Sequence, residues 1–215
     1  SRPLRATTAC TGAKCVRVRN KLWLCAGPCE GPFREAPSFV RRTRKNQHSA
    51  MPTTTTREQE RWGDLVNDPL LCELPYKVET NAQGQIILSP HTARHSEFQE
   101  QIQDLLRQHA PEGRQPPEYP ITTSRGVKQT DVIWASQERL RKMRETGDPP
   151  TLAPEICVEI LSESNTVEEM AAKRTLYREA GAEEVWFVEL EGRVRFFTDE
   201  EQEASTIAPD FPDHM

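Results

Sequence analysis

The run Pro154-Glu-Ile-Cys-Val-Glu-Ile-Leu-Ser162 constrains this chain more than any other, because it is apolar on both alternating faces yet carries a carboxylate in its middle. A strand with apolar residues on both faces belongs in the centre of a sheet that is covered on both sides. Glu159 lies between Val158 and Ile160 and shares a face with Cys157 and Leu161. An unpaired carboxylate there costs several kcal/mol, so Glu159 needs a cation or a proton.

Two further residues break the pattern of their elements. Asp131 begins the apolar run Val132-Ile-Trp134 and brings a second carboxylate into a strand of similar character. Met170, Lys173, Tyr177 and Ala180 are spaced 3, 4 and 3 apart, which sets a lysine in the apolar stripe of a helix facing the sheet. Two carboxylates from adjacent strands with one ammonium suit a hard, oxygen-liganded cation such as Mg²⁺, and the ammonium can orient or deprotonate a water. Phosphodiester hydrolysis uses such a set, because the metal offsets phosphate charge and the lysine stabilises the attacking or pentacovalent species. Spacing also admits plainer readings: Glu159 and Lys173 as a buried ion pair, Glu169 and Lys173 as a surface pair, and Asp131 as a strand-end residue.

The remaining pattern predicts a mixed α/β (α+β) domain with one central sheet flanked by helices. Trp62, Leu65, Val66 and Leu70 suggest a short helix at its edge. Tyr76 to Thr80 and Gln85 to Ser89 flank Asn81-Ala-Gln-Gly84 as a hairpin. His95, Phe98, Ile102, Leu105, Leu106 and His109 recur at steps of three and four, so 92–110 reads as an amphipathic helix. A second extended pair, Tyr119 to Ser124 and Val127 to Ala135, turns at Arg125-Gly126. Ser136 caps a short basic helix, while Thr166 with Glu169 forms a capping box for a helix that Gly181 ends. Glu184 to Glu189 and Arg193 to Phe197 make a last hairpin.

The formal charge of -5 conceals two unlike pieces. Residues 1–50 carry 11 Lys/Arg against only Glu30 and Glu35, a net of +9, whereas the other 165 residues carry a net of -14. The first piece shows no sustained period and is expected to be a basic, cysteine-bearing leader without fixed structure. Met51-Pro-Thr-Thr-Thr-Thr reads as a start of translation, so the leader is expected to be upstream sequence carried in the reading frame. Its cysteines, Cys10, Cys15, Cys25 and Cys29, could hold zinc tetrahedrally, although the first pair sits at the wide limit of ligand spacing. The domain is expected over 51–200, with 201–215 an acidic disordered tail. Apolar runs are too short to cross a bilayer and no signal-peptide pattern is present, so a cytoplasmic protein is expected, with no membrane partner and no organic cofactor.

The order of motifs resembles a known family. Pro154-Glu-Ile-Cys-Val-Glu-Ile-Leu-Ser162, continued by Glu163-Ser-Asn165, Lys173, Tyr177, Ala180-Gly181 and Val185-Trp-Phe-Val188, is similar to the signature of the Uma-type restriction endonucleases of the PD-(D/E)XK nuclease superfamily. Thr130-Asp131-Val resembles that family's Pro-Asp-Val strand, Glu79 with Gly84 its opening hairpin, and His95 the histidine that follows. The similarity covers about residues 55 to 198. It implies a restriction-endonuclease-like fold and a Mg²⁺- or Mn²⁺-dependent DNA cleavage site. Asp131 and Glu159 carry over as metal ligands, with Lys173 completing the catalytic set. The superfamily's lysine usually stands two residues after the second acid, where this chain has Leu161; the resemblance moves it to Lys173, the residue that the helical stripe singled out. Glu79, as a further metal ligand, His95 and Gln99 are secondary candidates. Gln99 could touch a phosphate, although a solvated glutamine is the plainer reading, and Tyr177, Trp186 and Cys157 read as core.

The expected function is therefore hydrolysis of DNA phosphodiesters. A net of -14 argues against strong non-specific duplex binding, so either a local basic rim, doubled in a homodimer, attracts DNA or a target feature is required. The competing function is a non-catalytic nucleic-acid-binding or protein-interaction module that retains the fold.

Overall fold

The computed structural model describes residues 54–71, 76–90 and 92–215. Expectations for residues 1–50 and for a start at Met51 lie outside the described residues. In chain order the elements are α1 (Thr54–Val66), β1 (Tyr76–Thr80), β2 (Ile86–Pro90), α2 (Ala93–His109), β3 (Pro117–Thr123), β4 (Gly126–Trp134), α3 (Gln137–Glu145), β5 (Ile156–Ile160), α4 (Val167–Glu179), β6 (Glu184–Val188), β7 (Val194–Phe197) and β8 (Glu201–Gln202).

Six strands form one mixed sheet in the order β3-β4-β5-β6-β7-β8, and β1-β2 stands apart as a two-stranded sheet. Tight turns join β1 to β2, β3 to β4, β6 to β7 and β7 to β8, as the turn residues between apolar runs require, whereas α3 lies between the antiparallel β4 and β5. β5 and β6 run parallel, with Ile156 opposite Glu184 and Ile160 opposite Val188. A parallel pair needs a crossover connection, and α4 supplies it. β5 lies between β4 and β6 and all five of its residues are buried, as its two-sided apolar pattern predicts.

Alternation along β5 divides the core. Ile156, Val158 and Ile160 join Trp186, Phe196 and the α2 residues Phe98, Ile102 and Leu106 in one apolar cluster. Cys157 joins Ile121, Val185 and Phe187 with Met170 and Tyr177 of α4 in another. Leu140 and Met143 of α3 pack with Ile133 and Ala135 in a third. Helix ends follow the sequence: Thr92, Ser136 and Thr166 cap α2, α3 and α4 by accepting the N–H groups of His95, Arg139 and Glu169. Only Trp62 of α1 is buried, and Leu70 beyond it is 81% exposed, so the helix is held by one aromatic residue and by Gln59, whose amide donates to Pro149 O at 2.7 Å.

The segment 201–215 is packed, which corrects the expectation of a disordered tail and extends the domain past residue 200. Phe211 lies against Trp186 with ring centroids 4.7 Å apart, and Ala208 is buried beside it. The buried carboxylate of Glu184 accepts N–H groups from Thr206 at 2.7 Å and Ile207 at 3.0 Å, and Trp186 Nε1 donates to it at 2.7 Å. Val194 N donates to Asp213 O, and Met215 N to Gly192 O. Too few apolar residues in the tail carry a period, but a buried carboxylate on β6 requires donors and the tail provides them.

Candidate active site

Val132 pairs with Val158, Ile133 with Cys157 and Trp134 with Ile156, and continuing this antiparallel register sets Asp131 opposite Glu159. Directly opposed residues of an antiparallel pair project on the same face. The ladder stops at this point, and the N–H of Ile160 donates to Asp131 Oδ2 at 2.7 Å. A local break in the sheet thus aims both carboxylates into one cavity of about 780 Å³. Asp131 is 1% exposed and Glu159 3%.

Lys173 reaches the site from α4, as the stripe on that helix predicts. Its Nζ lies 3.2 Å from Glu159 Oε2 and 3.1 Å from Glu79 Oε1. Asp131, Glu159, Lys173 and Glu79 therefore converge. His95, in the first turn of α2, places Nε2 3.1 Å from Asp131 Oδ1. Gln99 is buried one turn later, and its amide donates to the main-chain oxygen of Asp131 at 3.2 Å and to the Glu118 carboxylate. That position overturns the reading of Gln99 as a solvated residue.

Sequence reading missed four contributors. Lys77 Nζ stands between the acids, 2.6 Å from Asp131 Oδ1 and 3.3 Å from Glu159 Oε2. Lys128 donates to Thr80 O at 2.9 Å and lies 3.7 Å from Glu79 Oε2. Tyr177, read as core, is fully buried but directs its hydroxyl at Glu159 Oε1. Glu118, whose carboxylate accepts from Gln99, has a positive φ of 51, a costly backbone conformation for a non-glycine residue. Lys77 and Glu79 do alternate on one face of a strand, which is a weak signal, because nothing in the hairpin indicates that β4 buries that face. Glu118 gives no sequence signal.

The lysines and carboxylates largely neutralise one another. Burial by itself would raise the pKa of Asp131, but the Lys77 ammonium and the His95 ring hold it well below the usual carboxylate range. Burial likewise opposes charge on Glu79, yet Lys173, Lys77 and Lys128 bring its pKa down. Lys77 and Lys173 resist desolvation because the carboxylates around them raise their pKa values, so both remain ammonium groups. Lys128 differs: burial outweighs Glu79 and lowers its pKa. Burial and the Glu159 charge raise the Tyr177 phenol well above its ordinary value, which keeps it a hydrogen-bond donor.

Carboxylates from β4 and β5 already directed at one cation are suitable ligands for a divalent ion in the position of the Lys77 ammonium. Residues 69–213 match the model of the Uma2 family, described as "Putative restriction endonuclease". The fold is similar to that of the crystal structure of a "putative nuclease belonging to DUF820" from Anabaena variabilis, at 17% sequence identity and a TM-score of 0.52, over 67% of this chain and 90% of that chain. Among curated proteins none matches.

Proposed function

Because the chain belongs to the Uma2 family of restriction-endonuclease-like proteins, we propose that it hydrolyses DNA phosphodiester bonds with a divalent metal ion, Mg²⁺ or Mn²⁺, held by Asp131 and Glu159. The observation that carries this reading is the convergence of Asp131 Oδ1 and Glu159 Oε2 on a single cation, Lys77 Nζ, beside Lys173 in an open cavity. When bound, the metal supplies charge neutralisation at the phosphate and a more acidic water.

The chain's own residues organise the rest. The Ile160 N–H fixes Asp131 Oδ2 and leaves Oδ1 to Lys77 Nζ and His95 Nε2. The Tyr177 hydroxyl fixes Glu159 Oε1, so Oε2 faces the cation. Lys173 stays protonated and stabilises developing phosphate charge rather than removing a proton. Lys77 must withdraw from the acids for them to serve as metal ligands, and its stem starts at the cavity wall. Glu79 holds Lys173 and Lys128 in place through its two oxygens.

Incubation with plasmid, oligonucleotide and branched DNA in Mg²⁺ or Mn²⁺ tests the reading. Asp131→Asn and Glu159→Gln are each expected to lower the cleavage rate by at least about 10²–10³-fold, the effect of removing one pre-placed hydrogen-bond donor from an oxyanion hole. Cleavage that survives both substitutions would defeat the assignment. The competing module reading is favoured by one observation, the net charge of -14 over residues 51–215. Its signature is nucleic-acid or protein binding with no cleavage of any substrate in either metal.

A further inference from the structure

We propose that a second cavity, between α4 and strands β6 and β7, takes up one unpaired nucleotide of the substrate strand beside the cut, so that single-stranded or branched DNA is preferred to continuous duplex. The inference rests on the reading of DNA as substrate, but its site contains none of the proposed metal ligands.

This cavity measures about 270 Å³ and has Met170, Phe187 and Phe197 in its lining. That is just below the roughly 300–1,000 Å³ of small-molecule sites, enough for one nucleoside and too little for a duplex. Helix α4 stands between the two cavities. Glu169, Ala172, Lys173 and Leu176 line the catalytic one, and Val167, Met170, Ala171 and Arg174 line the other. Each set has the i, i+3, i+4, i+7 spacing of one helical stripe. Ser162 and Asn165, in the loop before α4, border both cavities, so a strand leaving Lys173 need cross only this loop to reach the second.

The polar groups of the cavity fit a nucleotide. The guanidinium of Arg174 lies 4.9 Å from the Phe197 ring centroid, and that of Arg195 lies 5.1 Å from it. Glu201 holds Arg195 through two bonds, at 2.8 and 2.7 Å, whereas the Arg174 guanidinium makes no hydrogen bond or ion pair among the described residues. A guanidinium with a free edge pairs with phosphate, and its plane stacks on a base. Val167 lines the same cavity and is 83% exposed, an apolar residue open to solvent at the start of α4. One stacked base with its phosphate needs only this local pair of arginines. A duplex needs a basic face, which a net charge of -14 over residues 51–215 disfavours.

The test measures binding of the full chain in EDTA, by fluorescence anisotropy, to a single-stranded oligonucleotide, an abasic strand of the same length, a continuous duplex and free dAMP. Wild type is expected to bind the oligonucleotide roughly 5–150-fold more tightly than the abasic strand, the contribution of one stacked base. Arg174→Gln should remove most of that difference. Val167→Asp should do the same by repelling phosphate, and an acidic residue in the first turn of a helix does not harm the fold. In the unsubstituted chain the Val167 methyl resonances should shift when the oligonucleotide is added. Equal affinity for the abasic strand, for duplex or for dAMP, or Val167 resonances that stay in place, would overturn the inference. Base-dependent binding without cleavage in Mg²⁺ or Mn²⁺ would uphold it and defeat the catalytic reading. Cleavage of duplex and single strand at equal rates, unchanged in Arg174→Gln, would defeat it alone.

Discussion

Tyr177 shows how little of a residue's role its position in a pattern reveals. Its place in the apolar stripe of α4 reads as core, and it is core, yet its hydroxyl holds one oxygen of Glu159 and leaves the other to Lys77 and Lys173. Tyr177→Phe keeps the packing and removes a hydrogen bond to a charged group, so it should destabilise the fold by about 1.5–3 kcal/mol in urea unfolding. It should also lower metal-dependent activity by loosening Glu159. Lys77 makes a sharper case. It is 8% exposed and neutralises two buried acids, and removing one partner of such a set costs about 3–5 kcal/mol. Lys77→Met should therefore lower the melting temperature strongly in EDTA. Mn²⁺ should then restore it by more than it raises that of wild type, since the ion supplies the missing cation. Equal metal-induced shifts in the two proteins would show that Asp131 and Glu159 do not share a metal position.

At the scale of elements, the site depends on a hairpin that lies outside the main sheet. β1 carries Lys77 and Glu79, and it is pinned where β4 begins: Val127 N donates to Thr80 Oγ1 at 2.8 Å and Lys128 to Thr80 O. Gly126 permits this approach. Its φ is +90, and a Cβ there would meet Thr80 O at 2.5 Å. Gly126→Ala should cost on the order of 1–3 kcal/mol from backbone strain alone. It should also displace β1, so activity should fall although no site residue has changed; thermal unfolding and DNA cleavage measure the two effects. The hairpin itself was legible from Asn81-Ala-Gln-Gly84, as were α2, α4 and the buried β5, because each is specified by local periodicity and caps. Its docking was not, since contacts between Thr80 and Gly126 to Lys128 leave no trace in either segment's pattern.

Over the whole molecule, the last residues and the charge distribution set stability. Phe211 fills a space beside Trp186 and Phe196 and is 4% exposed. Phe211→Ala should cost about 3–5 kcal/mol, measured by chemical denaturation, whereas a tail without fixed structure would show no change. Acid should unfold the protein through its site. Asp131 and Glu79 have folded pKa values depressed below the ordinary 3.8 and 4.5. Their stabilisation is complete above those ordinary values and is lost as pH falls towards the folded ones. Urea unfolding between pH 7 and pH 3 should show stability dropping at the acid end, and Asp131→Asn should flatten that drop.

Sequence alone determined the mixed α/β layering, the central placement of β5 and three charges in apolar settings, Asp131, Glu159 and Lys173, because each violates a period that its own element defines. Tertiary structure decided which groups answer those charges. Lys77 and Glu79 come from a hairpin strand with an unremarkable pattern, the Tyr177 hydroxyl from the apolar stripe of α4, and the donors to Glu184, a further buried charge, from an acidic tail that packs. A buried charge announces that it needs a partner, but the partner is an ordinary polar residue whose burial exists only once distant segments meet.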